Sequence, residues 1–175
     1  MVRSKKAIFF DRDGTIIKTK ISKDKKPLAI KTLNECKIFP SVLKILNNLK
    51  KNYLIFVITN QPDVFRKKNI KQNVLEINKY LLKKLPINQI YTCYCDNDNC
   101  NFRKPNNGML IKASKKYKIN LSKSFVVGDR WKDIETGKIT NCKTIFIDKK
   151  NDEKIKSKPD HYIKNFYQLN KIFKL

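Results

Sequence analysis

Ala7-Ile8-Phe9-Phe10-Asp11-Arg12-Asp13-Gly14-Thr15 is a short apolar run that stops at two carboxylates and a glycine. Four apolar residues with no polar alternation predict a central parallel strand covered on both faces. In open α/β sheets ligands gather outside the carboxyl ends of the strands, which is where Asp11 and Asp13 fall. Carboxylates one residue apart repel each other unless a positive charge comes between them, and a hard divalent cation such as Mg²⁺ meets that need. Gly14 lets the chain turn sharply straight afterwards. On these residues alone, a metal-bearing site and a polar turn closing a strand both fit.

The pattern of apolar strand and polar tip recurs along the chain. Pro40-Ser41 opens a helix in which Val42, Leu43, Ile45, Leu46 and Leu49 follow an i, i+3, i+4, i+7 spacing, with Ser41 as the expected N-cap. Tyr53 to Ile58 is a second buried strand, running into Thr59-Asn60-Gln61-Pro62-Asp63. A helix over Ile70 to Leu85 turns Val74, Ile77, Leu81 and Leu82 inward and is stopped by Pro86. Ile90 to Cys95 is a third strand, leading into a polar loop that ends Arg103-Lys104-Pro105-Asn106-Asn107-Gly108-Met109. A helix from Gly108 to Tyr117 buries Met109, Leu110 and Ala113. Phe125-Val126-Val127 is a fourth strand tipped by Gly128-Asp129-Arg130-Trp131-Lys132-Asp133-Ile134, and Thr144 to Asp148 is a fifth. A last helix gathers around Phe166, Leu169 and Ile172. The Lys-rich stretch from Ile16 to Ile38 reads as a loop or small β-flap over the site, and Lys149 to Lys158 as a basic loop. His161, the only histidine, lies far from these tips and reads as a surface or packing residue.

Length and composition narrow the field. A chain of 175 residues has room for one sizeable core, so a single domain over residues 1–175 is expected. No run approaches the ~18 to 20 apolar residues of a membrane span, and four apolar residues before Asp11 make no signal-peptide core, so a cytoplasmic protein without a membrane partner is expected. The net charge of +25 invites a nucleic-acid partner. Only five of the forty basic residues are Arg, however, and Lys is spread along the whole chain, which favours solvated lysine faces. Nucleic acid stays open as an alternative, and a monomer is expected. There is no Gly-rich phosphate loop of the Walker type to suggest a kinase.

Phe10-Asp11-Arg12-Asp13-Gly14-Thr15-Ile16-Ile17 resembles the signature of the haloacid dehalogenase superfamily of phosphohydrolases. The resemblance implies a Rossmann-like α/β fold with a mostly parallel sheet, helices on both faces and, in a chain this short, only a minimal cap. It also implies that Asp11 is the nucleophile and Asp13 the general acid/base. Thr59-Asn60 looks like the second motif of that superfamily. Gly128-Asp129 with Asp133 looks like the fourth, in which the first Asp binds the metal, so Mg²⁺ is expected on Asp11, Asp13 and Asp129. Asp133 is expected to orient a metal-bound water, to pair with Lys104 or to cap the next helix.

Within the superfamily, Arg103-Lys104-Pro105 and Gly108-Met109 are similar to the heptose-bisphosphate and histidinol-phosphate phosphatase branch. There the Arg-Lys pair binds substrate and neutralises the transferring phosphoryl group, a role implied here for Arg103 and Lys104, with Thr59, Asn60 and Gln61 beside them. That branch carries a Zn²⁺ loop, from which this sequence departs. Cys95 stands in place of His, and Phe102 in place of the last Cys. Cys93, Cys95 and Cys100 leave three thiolates where a closed site needs four ligands. Zn²⁺ completed by Asp96, Asp98 or water, and a metal-free loop over about 93–107, both stay open.

The resemblance therefore implies a Mg²⁺-dependent phosphomonoesterase that works through an aspartyl-phosphate. The expected substrate is a sugar phosphate such as D-glycero-D-manno-heptose 1,7-bisphosphate of lipopolysaccharide or capsule synthesis. Histidinol phosphate and a polynucleotide 3′-phosphate are the alternatives. A reading of another class is a non-catalytic, basic nucleic-acid-binding protein on the same fold.

Overall fold

Ala7–Phe10 (β1) forms the middle of a six-stranded sheet because every one of its side chains is apolar and finds cover on one face or the other. The computed structural model describes residues 4–21, 27–149 and 154–175. In chain order its elements are β1, β2 (Lys20–Ile21), β3 (Pro27–Leu28), α1 (Val42–Leu49), β4 (Leu54–Asn60), α2 (Lys71–Lys84), β5 (Gln89–Cys93), α3 (Gly108–Tyr117), β6 (Phe125–Gly128), α4 (Trp131–Ile139), β7 (Lys143–Ile147), β8 (His161–Ile163) and α5 (Leu169–Phe173). The sheet runs β5-β4-β1-β6-β7-β8, and all of its pairings are parallel. The α/β architecture expected from the strand and helix spacing is borne out.

Alternation along β1 divides the core in two. Ile8 and Phe10 join Val42, Ile45, Leu46 and Leu49 of α1, Ile77 and Leu81 of α2, and Leu169 of α5. Ala7 and Phe9 face the other way, onto Met109, Leu110 and Ala113 of α3 and Val126 of β6, with the Phe9 and Phe56 rings stacked at 5.3 Å. Helices on both faces fix the sheet, and the parallel pairing puts every strand's carboxyl end on one edge. β1 is in register with both neighbours, Phe10 opposite Val57 and Val127, so the residues that follow Phe10 and Gly128 emerge side by side.

Some local expectations need correction. Ser41 makes no side-chain capping bond at the start of α1. Leu82 is 43% exposed, because the buried stripe of α2 closes on Val74, Ile77, Asn78 and Leu81. The flap region contains an antiparallel ribbon of β2 and β3, and its ends are joined by Lys18 N–H to Lys37 O at 2.8 Å and Phe39 N–H to Ile16 O at 3.1 Å. Residues 22–26 of that region, and 150–153 of the basic loop, lie outside the described residues. No helix among the described residues is long and apolar enough to cross a membrane.

β8, a strand the sequence did not reveal, is tied to β7 by Asp160. Its carboxylate accepts from Thr144 N–H at 2.7 Å, the Thr144 hydroxyl at 2.6 Å and Lys138 Nζ at 3.0 Å. Burial works against the ionised carboxyl, but the Thr144 and Lys138 donors outweigh it and bring Asp160 down to about 2. A depressed carboxyl contributes stability above its unfolded value, and that contribution is lost as pH falls through its folded value. Asp160→Asn should therefore unfold at lower urea than wild type at pH 7. The two midpoints should converge between pH 4 and pH 2, which urea titrations across that range would show.

Candidate active site

Asp11 follows β1 directly and is held there by its own N–H, which donates to Val127 O of β6 at 2.9 Å. Gly14 then turns back with φ of +86°, a conformation that costs glycine little. The turn also has no room for a side chain, since a Cβ on Gly14 would lie 2.2 Å from Asp129 Oδ2. The same holds behind β6, where a Cβ on Gly128 would lie 2.2 Å from Asp133 Oδ2. The two glycines let three carboxylates crowd together. One oxygen each from Asp11, Asp129 and Asp133 lies within 4.8 Å of the others, and all three residues are buried.

Lys104 is the counter-charge. It reaches in from the loop after β5, and its buried ammonium donates to Asp11 Oδ1 at 2.6 Å, Asp133 Oδ1 at 2.6 Å and Ile58 O at 3.1 Å. Burial alone would strip its proton, but the two carboxylates raise it above the ordinary lysine value. Its backbone is clamped as firmly. Asn60 Nδ2 donates to Lys104 O and Lys104 N–H donates to Asn60 Oδ1, both at 3.0 Å, beside a cis Lys104–Pro105 bond.

One ammonium cannot balance three carboxylates. Burial, with repulsion from Asp133 and Asp13, pushes Asp11 up to about 7 despite Lys104. Burial and the charges of Asp11 and Asp133 likewise raise Asp129 well above the usual carboxylate range, although the Thr15 hydroxyl donates to its Oδ1 at 3.2 Å. Asp133 spends one oxygen on Lys104 and the other on Arg130 N–H at 3.1 Å, so it both pairs with the lysine and caps α4. The cluster is a buried cradle of hard oxygen donors with excess negative charge, a donor set suited to a divalent cation.

Other expected site residues lie differently. Asp13 is not one of the three clustered carboxylates: Arg12 Nε donates to its Oδ1 at 2.8 Å, and Arg12 Nη2 and Gln61 Nε2 donate to its Oδ2 at 3.1 and 2.8 Å. Gln61 is buried and also donates to Thr59 Oγ1 at 3.0 Å, so its amide serves neighbouring side chains. Asn60 serves Lys104. Arg103 is committed to its own loop, donating to Asp98 Oδ1 and Cys95 O, each at 2.9 Å, and facing Asp96 at 3.5 Å. Asp96 also accepts from Arg66 Nε at 2.6 Å, which joins the loops after β4 and β5. Cys93, Cys95 and Cys100 gather their sulfurs within 4.8 Å of one another, with Cys93 Sγ 3.8 Å from Cys100 Sγ and Cys95 and Cys100 in contact. Sequence reasoning gave no role to Arg12, Thr15, Asn78 or Arg66. The signal available for Arg12 was its place between two carboxylates.

The family described as polynucleotide kinase 3 phosphatase matches residues 6–166. The D-glycero-alpha-D-manno-heptose-1,7-bisphosphate 7-phosphatase of Campylobacter jejuni is 28% identical over 175 residues, spanning 97% of this chain and 96% of that protein. The D-glycero-beta-D-manno-heptose-1,7-bisphosphate 7-phosphatase of Helicobacter pylori is 30% identical over 145 residues, spanning 78% and 79%. The crystal structure of the D,D-heptose 1,7-bisphosphate phosphatase from B. bronchiseptica, complexed with magnesium and phosphate, shares the fold. Its TM-score is 0.79 at 19% identity, over 96% of this chain and 97% of that one.

The charge imbalance predicts opposite effects of two substitutions in metal-free protein. Asp129→Asn relieves repulsion and keeps an acceptor for Thr15, so it should raise Tm by roughly 2–4 °C per kcal/mol of relief. Lys104→Met leaves Asp11 and Asp133 unpaired and should destabilise by about 3–5 kcal/mol. Calorimetry of both variants in EDTA checks the pair of signs.

Proposed function

The chain belongs to the polynucleotide kinase 3 phosphatase family, and from that premise we propose that it hydrolyses the phosphomonoester of a small sugar phosphate through an aspartyl-phosphate on Asp11. It is a phosphatase of the haloacid dehalogenase superfamily. The observation that carries the proposal is the Lys104 bond to Asp11 inside the buried carboxylate cluster, which holds one carboxylate oxygen and neutralises charge where a phosphoryl group would arrive.

Asp11 attacks phosphorus as the bond to the leaving oxygen breaks. Asp13 gives that oxygen its proton, then takes a proton from the water that cleaves the acyl phosphate and restores Asp11. Lys104 and the Thr59 hydroxyl balance charge on the phosphoryl oxygens. Asp133 already spends both oxygens, so Asp11 and Asp129 are the pair that would hold Mg²⁺. A Mg²⁺ ion bound there would withdraw charge from the phosphoryl group as a Lewis acid. The cysteine loop brings the sulfurs of Cys93, Cys95 and Cys100 within 4.8 Å of one another, but Phe102 offers no ligand, so the loop is one donor short of a closed Zn²⁺ site and zinc enters no step.

A heptose 1,7-bisphosphate, cleaved at the 7-phosphate, is the favoured substrate, supported by relatives of that name that match this chain nearly end to end. A polynucleotide 3′-phosphate is the second reading, supported by the family's own description and the +25 charge. Phosphate release with Mg²⁺ from heptose 1,7-bisphosphate, histidinol phosphate and a 3′-phosphorylated oligonucleotide separates the readings. The heptose should turn over fastest, change little with added salt, and become inert in Asp11→Asn. Fastest turnover of the oligonucleotide, falling steeply with salt, would move the assignment to the second reading. Silence across the panel from folded protein would overturn the proposal.

A further inference from the structure

Arg12 is the largest fully buried side chain among the described residues, 0% exposed, and in sequence it stands between the two carboxylates that the proposed chemistry uses. A guanidinium is removed from water only at high cost unless its donors are met. Nε and Nη2 grip the two oxygens of Asp13 as a fork, at 2.8 and 3.1 Å. Nη1 donates to Asn78 Oδ1 at 3.0 Å, and Asn78, a buried polar residue on the apolar stripe of α2, donates onward to Thr92 Oγ1 of β5 at 3.0 Å. Asp13 is thereby anchored through Arg12 to α2 and to the edge strand of the sheet. Gln61 closes the other side of the same carboxylate and ties it to Thr59.

We propose that Arg12 is a positioning residue for Asp13, and that the Arg12–Asn78–Thr92 chain fixes where the proton of the leaving group is delivered. The proposal rests on the reading of Asp13 as general acid/base given above. A proton donor must come within hydrogen-bond reach of the leaving oxygen, and a displacement of about 1 Å can cost on the order of 100-fold in rate. The fork sets the orientation of the carboxyl plane as well as its position. Lysine could replace the charge of Arg12 but not the two parallel N–H groups or the third bond to Asn78.

The test compares leaving groups in the full chain with Mg²⁺. The quantity is kcat/KM, which reports steps through departure of the leaving group. The substrates are heptose 1,7-bisphosphate, whose alkoxide needs a proton, and p-nitrophenyl phosphate, whose phenolate leaves without one. Arg12→Lys should lose roughly 10- to 100-fold on the alkyl phosphate and less than about threefold on the aryl phosphate. Asn78→Leu, which keeps Arg12 and releases only its anchor, should show the same selectivity with a smaller loss. It carries the test if Arg12→Lys does not fold. Equal losses on both substrates, or none, in a variant that folds like wild type would overturn the positioning role. Asp13→Asn is the reference. If it shows the leaving-group selectivity and the Arg12 and Asn78 variants do not, only this inference falls; if it shows none, the reading of Asp13 itself falls.

Discussion

The burial of one lysine among three carboxylates is the constraint on which the rest of the structure depends. Lys104 can stay charged out of water only because Asp11 and Asp133 each accept from it at 2.6 Å and Ile58 offers a carbonyl. Each of those partners comes from a different segment, the tip after β1, α4 and β4, so the interaction exists only when the sheet is assembled. It is also incomplete. The surplus negative charge raises the carboxyls of Asp11 and Asp129 and suits the cluster to a divalent cation.

The polar groups around this centre hold its charged side chains in place. Asn60 fixes the backbone of Lys104, Gln61 and Arg12 hold Asp13, and Thr15 supports Asp129. Arg103, Arg66, Asp96 and Asp98 bind the loop after β5 to the loop after β4 with charge. In that loop Cys93, Cys95 and Cys100 bring three sulfurs within 4.8 Å of one another, and ion pairs share the work of fixing its shape. Arg66 and Asp98 are themselves well exposed, so their pairs act by geometry more than by energy.

The fold was legible because its signals are local. Unbroken apolar runs at Ala7–Phe10 and Phe125–Val127, and a helical stripe at Val42–Leu49, need only the periodicities of strand and helix. β8 was not legible, because His161-Tyr162-Ile163 is too short to show a period and is held by Asp160 bonding to a residue sixteen positions away. Leu82 was misjudged for a related reason: spacing puts it beside the buried stripe of α2, and only the neighbours that arrive decide where the stripe ends.

The sequence by itself determined which residues could take part at the site: Asp11, Asp13, Thr59, Asn60, Arg103, Lys104 and Asp129 all sit at strand ends or in the loops that follow, a matter of chain order and polarity. Tertiary structure alone decided what each of them faces. Hydrogen bonds reach only about 3 Å and depend on direction, so whether Asn60 faced substrate space or the backbone of Lys104 turned on how β4 met the loop after β5. Likewise, burial of Arg12 turned on whether α2 presented Asn78 to it. Charge behaves the same way: Asp11 is far from Asp129 and Asp133 in sequence, and the carboxyls of Asp11 and Asp129 are raised here because the fold brings the three side chains within 4.8 Å and excludes the solvent that would screen them.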